Sequence, residues 1–139
     1  MTFRRVIAAL ACAATLVPSV GAHAAGSVGS PGQVAWVRRA ASNFVAAELG
    51  GNGAGTCAIL VASLRTTQHH RTCAQRWNAK LAKLLRSPRA RARLHRLGRA
   101  IPSATVTVHG YSASISLPTS LIHGPNRFLW TENCWMLDG

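Results

Sequence analysis

The sequence predicts an α+β domain in which N-terminal helices pack on one face of an antiparallel sheet of about four strands. Before Pro102 the apolar residues recur at the helical spacing of about 3.6 residues, between Ser, Thr, Asn, Pro and Gly residues that begin and end helices. After Pro102 the spacing changes to about 2 residues, which is typical of strands with one buried face.

The first 24 residues predict a cleaved secretory signal. Arg4 and Arg5 precede a short apolar run over residues 6–17, and Ala22-His23-Ala24 has the A-x-A form of a cleavage site near Ala24. The run is shorter than the roughly 20 apolar residues that a membrane-spanning helix needs. We therefore expect a mature chain that is secreted or held in the cell envelope, without a transmembrane anchor. The expected organisation is a signal peptide at 1–24, a flexible lead-in at 25–33 and one domain at 34–139.

The charge of the chain is strongly one-sided. Lysine and arginine number 16 against 3 acidic residues. Removing residues 1–24 takes away two arginines, so 14 basic and 3 acidic residues remain, a net charge of +11. Such an excess sets up a positive field that attracts anionic partners.

Four helices follow from the apolar pattern. In the first, Ser30 and Pro31 suit the start, Gln33 completes a capping box, and Gly50-Gly51 ends it. The second begins at Asn52 and is expected to carry Cys57, Leu60, Val61 and Leu64 on one face. After a polar connector over residues 66–71, the third runs from about Thr72 to Arg86, and the fourth begins at Ser87-Pro88 and is ended by Gly98 and Pro102.

Two hairpins follow the helices. A turn at His109-Gly110 would pair Val108 with Tyr111, Val106 with Ala113 and Ala104 with Ile115, which places the larger side chains on one face. A turn at Glu132-Asn133 would pair Trp130 with Trp135 and Phe128 with Leu137, with Cys134 on the opposite face beside Thr131.

The mature chain has three cysteines, and outside the cytoplasm thiols tend to pair. Cys57 and Cys73 each begin an apolar i, i+4 stripe on neighbouring helices, which favours a bridge between them. A bridge that closes a loop of about 15 residues contributes about 3 kcal/mol on the chain-entropy account. The main alternative is that Cys134 pairs with one of these two cysteines.

His69 and His70 precede Cys73 and raise two further alternatives, a zinc site that also uses Cys57 and a thiolate activated by a histidine. Adjacent histidines in a polar connector seldom both face one ion, and the chain has no CxxC or HxxxH spacing. We therefore expect no metal ligand among these residues and no catalytic cysteine.

Three segments together resemble the nuclear transport factor 2-like superfamily, also called SnoaL-like or cystatin-like, and its small secreted actinobacterial members in particular. The segments are FVAAELGGNGAGTCAIL, CAQRWNAKLAKLL and FLWTENCWMLDG, with Gly51-Asn52 where such members often have Gly-Asp. The resemblance spans roughly residue 34 to the end. It implies a cone in which a curved sheet wraps a long helix around a pocket, and a homodimer formed through the open sheet face. Some members are isomerases, dehydratases or epoxide hydrolases, and many are non-catalytic.

The small number of acids argues against catalysis. Glu48, on the apolar side of the first helix, has the best case for a buried site, although an exposed or arginine-paired carboxylate near the helix end is the preferred expectation. The chain has no Ser-His-Asp arrangement, paired carboxylates, HExxH or phosphate loop, so no cofactor is expected. The favoured function is a non-catalytic domain that binds a small apolar ligand or an envelope component. The alternative is a small pocket enzyme that uses Glu48 or a histidine.

The basic residues concentrate on the third and fourth helices, which suggests a second alternative, a face that binds extracellular polyanions or anionic lipid. No nucleic-acid recognition motif is present, and aromatic residues are not interleaved with the charges as base stacking requires, so sequence-specific nucleic-acid binding is not expected. The candidate contact residues for a ligand or polyanion are Arg76, Lys80, Lys83, Arg86, Arg89 and Arg93.

Overall fold

The computed structural model describes residues 27–118, 126–131 and 133–138. Within these ranges four α-helices pack on one curved, four-stranded antiparallel sheet, which confirms the predicted α+β class. The elements are α1 Pro31–Leu49, α2 Gly53–Ile59, α3 Cys73–Leu84, α4 Pro88–Ala100, β1 Thr105–His109, β2 Ser112–Ser116, β3 Arg127–Thr131 and β4 Cys134–Leu137. Short 3-10 turns lie at Ala62–Leu64 and Ile101–Ser103.

None of the helices in the described part combines the length and hydropathy that a membrane span requires. The predicted signal and cleavage site lie outside the described residues.

Side-chain caps define where the helices begin. At α1 the Ser30 hydroxyl accepts a hydrogen bond from the Gln33 backbone N–H, and the Gln33 side chain accepts one from the Ser30 N–H, which confirms the predicted capping box. Thr72 and Gln75 form a second box at α3. Ser87 caps α4 through the Ala90 N–H, as its position before Pro88 predicted.

The second helix ends earlier than its apolar spacing predicted. Leu60 is extended, with φ −81° and ψ 146°, and forms a parallel bridge with Leu137 at the edge of β4. The Val61 N–H donates to the Leu137 carbonyl at 3.0 Å. Leu60 and Val61 are therefore buried against the sheet, whereas Leu64 is 39 % exposed. The prediction of one continuous helical face through Leu64 is wrong because a hydrogen bond to a strand distant in sequence replaces the helical one.

The four strands form a meander in the order β1-β2-β3-β4. The N-terminal segment pairs with the free edge of β1, since the Val28 N–H donates to the Val106 carbonyl and the Val108 N–H donates to the Val28 carbonyl, both at 2.9 Å. Residues 27–33, the described part of the predicted lead-in, therefore contact β1 and begin α1. Each outer strand thus has a segment paired along its outward edge, which limits the unpaired backbone that an edge strand presents.

The first hairpin has a different register from the predicted one. Its turn is Gly110-Tyr111, so that Val108 pairs with Ala113 and Val106 with Ile115. Gly110 has φ +57°, a positive value that two-residue hairpin turns of types I′ and II′ require at their first central residue and that glycine adopts readily. Moving the turn by one residue shifts each partner by two, so the side chains keep their faces. Tyr111 alone leaves the predicted apolar face, and it is 76 % exposed.

The second hairpin confirms the predicted pairs. Trp130 lies opposite Trp135, Phe128 opposite Leu137, and Cys134 opposite Thr131. Trp36 of α1 stacks on Trp130 with ring centroids 5.4 Å apart. The core forms where the buried face of α1 meets the inner face of the sheet, and its members include Val37, Ala41, Val45, Val106, Ile115, Phe128 and Leu137.

Candidate functional site

A disulfide fixes α2 to α3. The bridge joins Cys57 to Cys73, whose Cα atoms are 6.1 Å apart, and this confirms the favoured pairing. The alternative in which Cys134 takes one of these partners is wrong. Because both sulfurs are in the bridge, neither is available as a zinc ligand or a thiolate nucleophile. Beside the bridge, the Gly53 N–H donates to the Asn78 side-chain oxygen at 2.8 Å, so the two helices are also joined by a hydrogen bond.

The two adjacent histidines form a tight turn. His69 and His70 have φ of 49° and 60°, and the backbone groups of Gln68 and Arg71 hydrogen bond to each other across them. Both histidines are exposed. In the described ranges, no group of three or more His, Cys, Asp or Glu side chains is placed to hold a metal ion.

Arg76 holds this turn in place. Its guanidinium donates to the Gln68 side-chain oxygen at 2.7 Å and to the Thr66 carbonyl. Sequence reasoning placed Arg76 on a basic contact face, but in the structure two of its guanidinium nitrogens are engaged by the connector between α2 and α3.

The main candidate site is a cavity of about 630 Å³ between α1, α3, α4 and the sheet. Its walls are mostly apolar, and two of its aromatic rings, those of Phe44 and Trp77, meet edge to face with centroids 5.9 Å apart. The sheet residues that line the cavity are almost fully buried. The principal apolar lining residues are Phe44, Val45, Trp77, Leu84, Leu94, Leu97, Ile101, Ile115, Phe128 and Leu137.

Four cationic side chains line the same cavity: Lys80 from α3, and Arg89, Arg93 and Arg96 from α4. Arg93 is half-buried and the other three are exposed, so these cations stand where the cavity meets solvent. The Lys80 ammonium lies 4.1 Å from the centroid of the Trp77 ring, a cation–π contact that holds it beside the apolar wall.

The structure divides the six predicted contact residues into three groups. Lys80, Arg89 and Arg93 line the cavity, whereas Lys83 and Arg86 are exposed and do not line it. Arg76 supports the connector described above. Arg96 was missed as a site residue, although its position three residues after Arg93 and seven after Arg89 placed it on the same side of α4.

Glu48 lies in the wall of the cavity, and only 8 % of its surface is exposed. The preferred expectation of an exposed carboxylate is therefore wrong. The cause is the position of Glu48 on the buried stripe of α1, one turn after Val45. Burial raises the pKa of this carboxyl above its ordinary value of 4.5, and the nearby Lys80 charge opposes part of that rise.

Replacing Glu48 with glutamine is expected to raise Tm at neutral pH and to leave it nearly unchanged well below pH 4.5. The raised pKa means that native Glu48 binds its proton more tightly than unfolded Glu48, so the wild type loses stability as pH rises from about 4.5 through the raised value. Tm measured from acid to neutral pH for both proteins checks this. In a Lys80→Gln variant, Tm should fall further between acid and neutral pH than in the wild type, because the substitution removes the charge that lowers the Glu48 pKa. If Tm changes with pH in the same way in wild type and Glu48→Gln, the raised pKa of the Glu48 carboxyl would be contradicted.

No family model matches the chain, and no curated protein or solved structure gives a significant match to it.

Proposed function

We propose that this protein is an extracytoplasmic, non-catalytic domain that binds a small apolar ligand in the cavity between its helices and its sheet. The single observation that supports this proposal most strongly is the cavity itself, about 630 Å³ with aromatic and aliphatic walls. Ligand sites in proteins commonly have about 300–1,000 Å³ and mostly apolar linings with a few polar groups. Glu48 and the four cations supply those polar groups here.

Membership of the nuclear transport factor 2-like superfamily is part of this proposal. It is supported by the order of elements, with helices preceding an antiparallel meander, and by a long first helix that packs across a curved sheet beside a cavity. These features agree with what the resemblance of the three quoted segments implies.

Export is also part of the proposal, and the Cys57–Cys73 disulfide supports it, because such bridges persist mainly in oxidising compartments. When residues 1–139 are expressed in a bacterial host, the exported product should begin near Ala25. N-terminal sequencing of that product checks the prediction, and an intact N-terminus on the exported protein would contradict cleavage.

Partly filling the cavity is expected to weaken ligand binding. Ala90 on α4 lines the cavity, so phenylalanine at this position should occupy part of the space and weaken binding of a neutral fluorescent probe, N-phenyl-1-naphthylamine, at least tenfold. The matched control is Ala92→Phe, on the same helix at an exposed position that does not line the cavity. Equal probe binding by both variants and the wild type would refute the proposed site.

A pocket enzyme is the second candidate, favoured by the burial of Glu48 in the cavity wall. Burial raises the pKa of this carboxyl, and carboxyl groups with shifted pKa values concentrate at functional sites, where they act as general acids or bases. Turnover of a bound apolar compound that is lost in Glu48→Gln, with binding retained, would establish this function. Binding without turnover supports the carrier or receptor role that we propose.

A further inference from the structure

We propose that the ligand is a single-chain amphiphile whose anionic head group, a carboxylate or a phosphate, binds the cations at the mouth of the cavity while its hydrocarbon chain enters the apolar interior. This inference rests on the proposed function, because it names the chemical class of the ligand for the same cavity.

The cavity lining combines accessible apolar surface with cationic side chains. Phe44, Trp77 and Leu97 are partly exposed and offer dispersion and hydrophobic contacts to a bound chain, and the lining has few polar groups. The cations lie at the solvent end, as the exposure of Lys80, Arg89 and Arg96 indicates. A ligand that satisfies both regions needs an apolar chain directed inward and a polar head directed outward.

The positive charge of the side chains that line the cavity favours a head group with negative charge. Four cationic side chains line the cavity, and Glu48 is the one acidic residue among the described lining residues. Three of the four cations are arginines, whose planar guanidinium matches the oxygens of carboxylates and phosphates in paired hydrogen bonds. A cationic head group would be repelled, and a neutral head group would leave these interactions unused.

Burial raises the pKa of the Glu48 carboxyl, which works against the ionised form that would repel an anionic head group. An ionised carboxylate in the cavity wall would repel a bound anion, whereas a protonated one accepts or donates a hydrogen bond without that repulsion. The charged groups that line the cavity with Glu48 are Lys80 on α3 and Arg89, Arg93 and Arg96 on α4, all of opposite sign to the proposed head group.

The direct test compares four probes with the same ten-carbon chain on the mature protein: decanoate, decyl phosphate, decanol and decyltrimethylammonium. Affinities are measured by isothermal titration calorimetry, below the micellar concentration of each charged probe and below the aqueous solubility of decanol. At least one of the two anions is expected to bind at least tenfold more tightly than decanol, since hydrogen bonds to charged groups add to the burial of the chain. The stronger of the two anions identifies the head group. Each methylene removed from that anion should weaken binding by about fourfold.

A pair of double variants locates the head group. Lys80→Gln/Arg93→Gln removes two cations that line the cavity and is expected to bring the preferred anion close to the affinity of decanol. Lys83→Gln/Arg86→Gln removes the same charge from exposed positions outside the cavity and should change affinity less than twofold. Equal weakening by the two pairs would mean that only the overall charge attracts the anion, which would overturn the inference.

The outcomes separate this inference from the proposed function. If decanol binds as tightly as both anions, and Ala90→Phe abolishes that binding, the cavity is a ligand site but the anionic class is wrong. If decyltrimethylammonium binds best, the inference is also wrong. If none of the four probes binds and N-phenyl-1-naphthylamine also fails to bind, the proposed function fails and the inference fails with it.

Discussion

Replacing both Cys57 and Cys73 with alanine is expected to lower the free energy of unfolding by about 3 kcal/mol, the value for a disulfide that closes a loop of about 15 residues. The two cysteines are separated by 16 positions, and both are buried in the core cluster. For a domain of this size, such a loss corresponds to a fall in Tm of roughly 10 °C or more. Thermal unfolding of the purified protein, followed by circular dichroism, checks the prediction.

On heating, the same double variant should lose ligand binding in the cavity at a lower temperature than the one at which the domain unfolds. Helix α3 carries Trp77, Lys80 and Leu84 of the cavity wall, and its main packing partner is α2, to which the disulfide joins it. Binding of N-phenyl-1-naphthylamine is therefore expected to decline at temperatures at which far-ultraviolet circular dichroism is still native.

Mass spectrometry of the unreduced wild type provides the control for the disulfide prediction. Digestion after alkylation under denaturing conditions should yield a linked pair of peptides that contain Cys57 and Cys73. Recovery of both cysteines as alkylated thiols, or a double alanine variant as stable as the wild type, would show that the bridge does not stabilise the protein.

Local signals were sufficient to predict where most elements begin. A helix start is predicted by a pattern of only a few residues, here Ser30 with Gln33 and Ser87 before Pro88. The structure has both caps. The second hairpin was also predicted correctly, and pairing Phe128 with Leu137 and Trp130 with Trp135 places all four on one face.

The errors in the fold arose where distant segments or turn geometry decide the outcome. Leu60 continues the apolar helical pattern, yet it leaves the helix to pair with Leu137, a residue 77 positions later. The first hairpin could be aligned with either turn position without changing which face is apolar, so alternation alone could not choose between them. Gly110 decides the register, because its positive φ is required at the first central position of the turn.

The candidate site was predictable only in part. Apolar Phe44 and Trp77 and the cationic residues of α3 and α4 are all evident in the sequence, but the space between them depends on how far apart the helices lie. No local pattern encodes that distance. The same limit applies to Glu48, whose position on the apolar stripe is clear in the sequence, whereas its burial depends on the helices that pack around it.

Replacing Gly53 with alanine is expected to destabilise the domain by about 2–3 kcal/mol, because the new methyl group would overlap atoms of α3. A Cβ at Gly53 would lie 2.4 Å from the Asn78 side-chain oxygen, 2.5 Å from the Ala74 carbonyl oxygen and 2.7 Å from the Asn78 backbone nitrogen. The last two are helix backbone atoms that cannot move without shifting α3. The φ of Gly53 is not in the left-handed region, so the conformational preference of alanine does not itself oppose the change.

Gly32→Ala is the matched control for Gly53→Ala, since Gly32 lies in the first turn of α1 with no atom within 4 Å of the added methyl. It should be neutral or stabilise the domain by up to about 1 kcal/mol, because alanine favours helix over glycine. Urea unfolding of the two variants gives the difference in free energy directly. If Gly53→Ala is as stable as Gly32→Ala, α2 and α3 do not approach as closely as described. The close approach of α2 to α3, which carries Trp77 and Lys80 of the cavity wall, would then be absent.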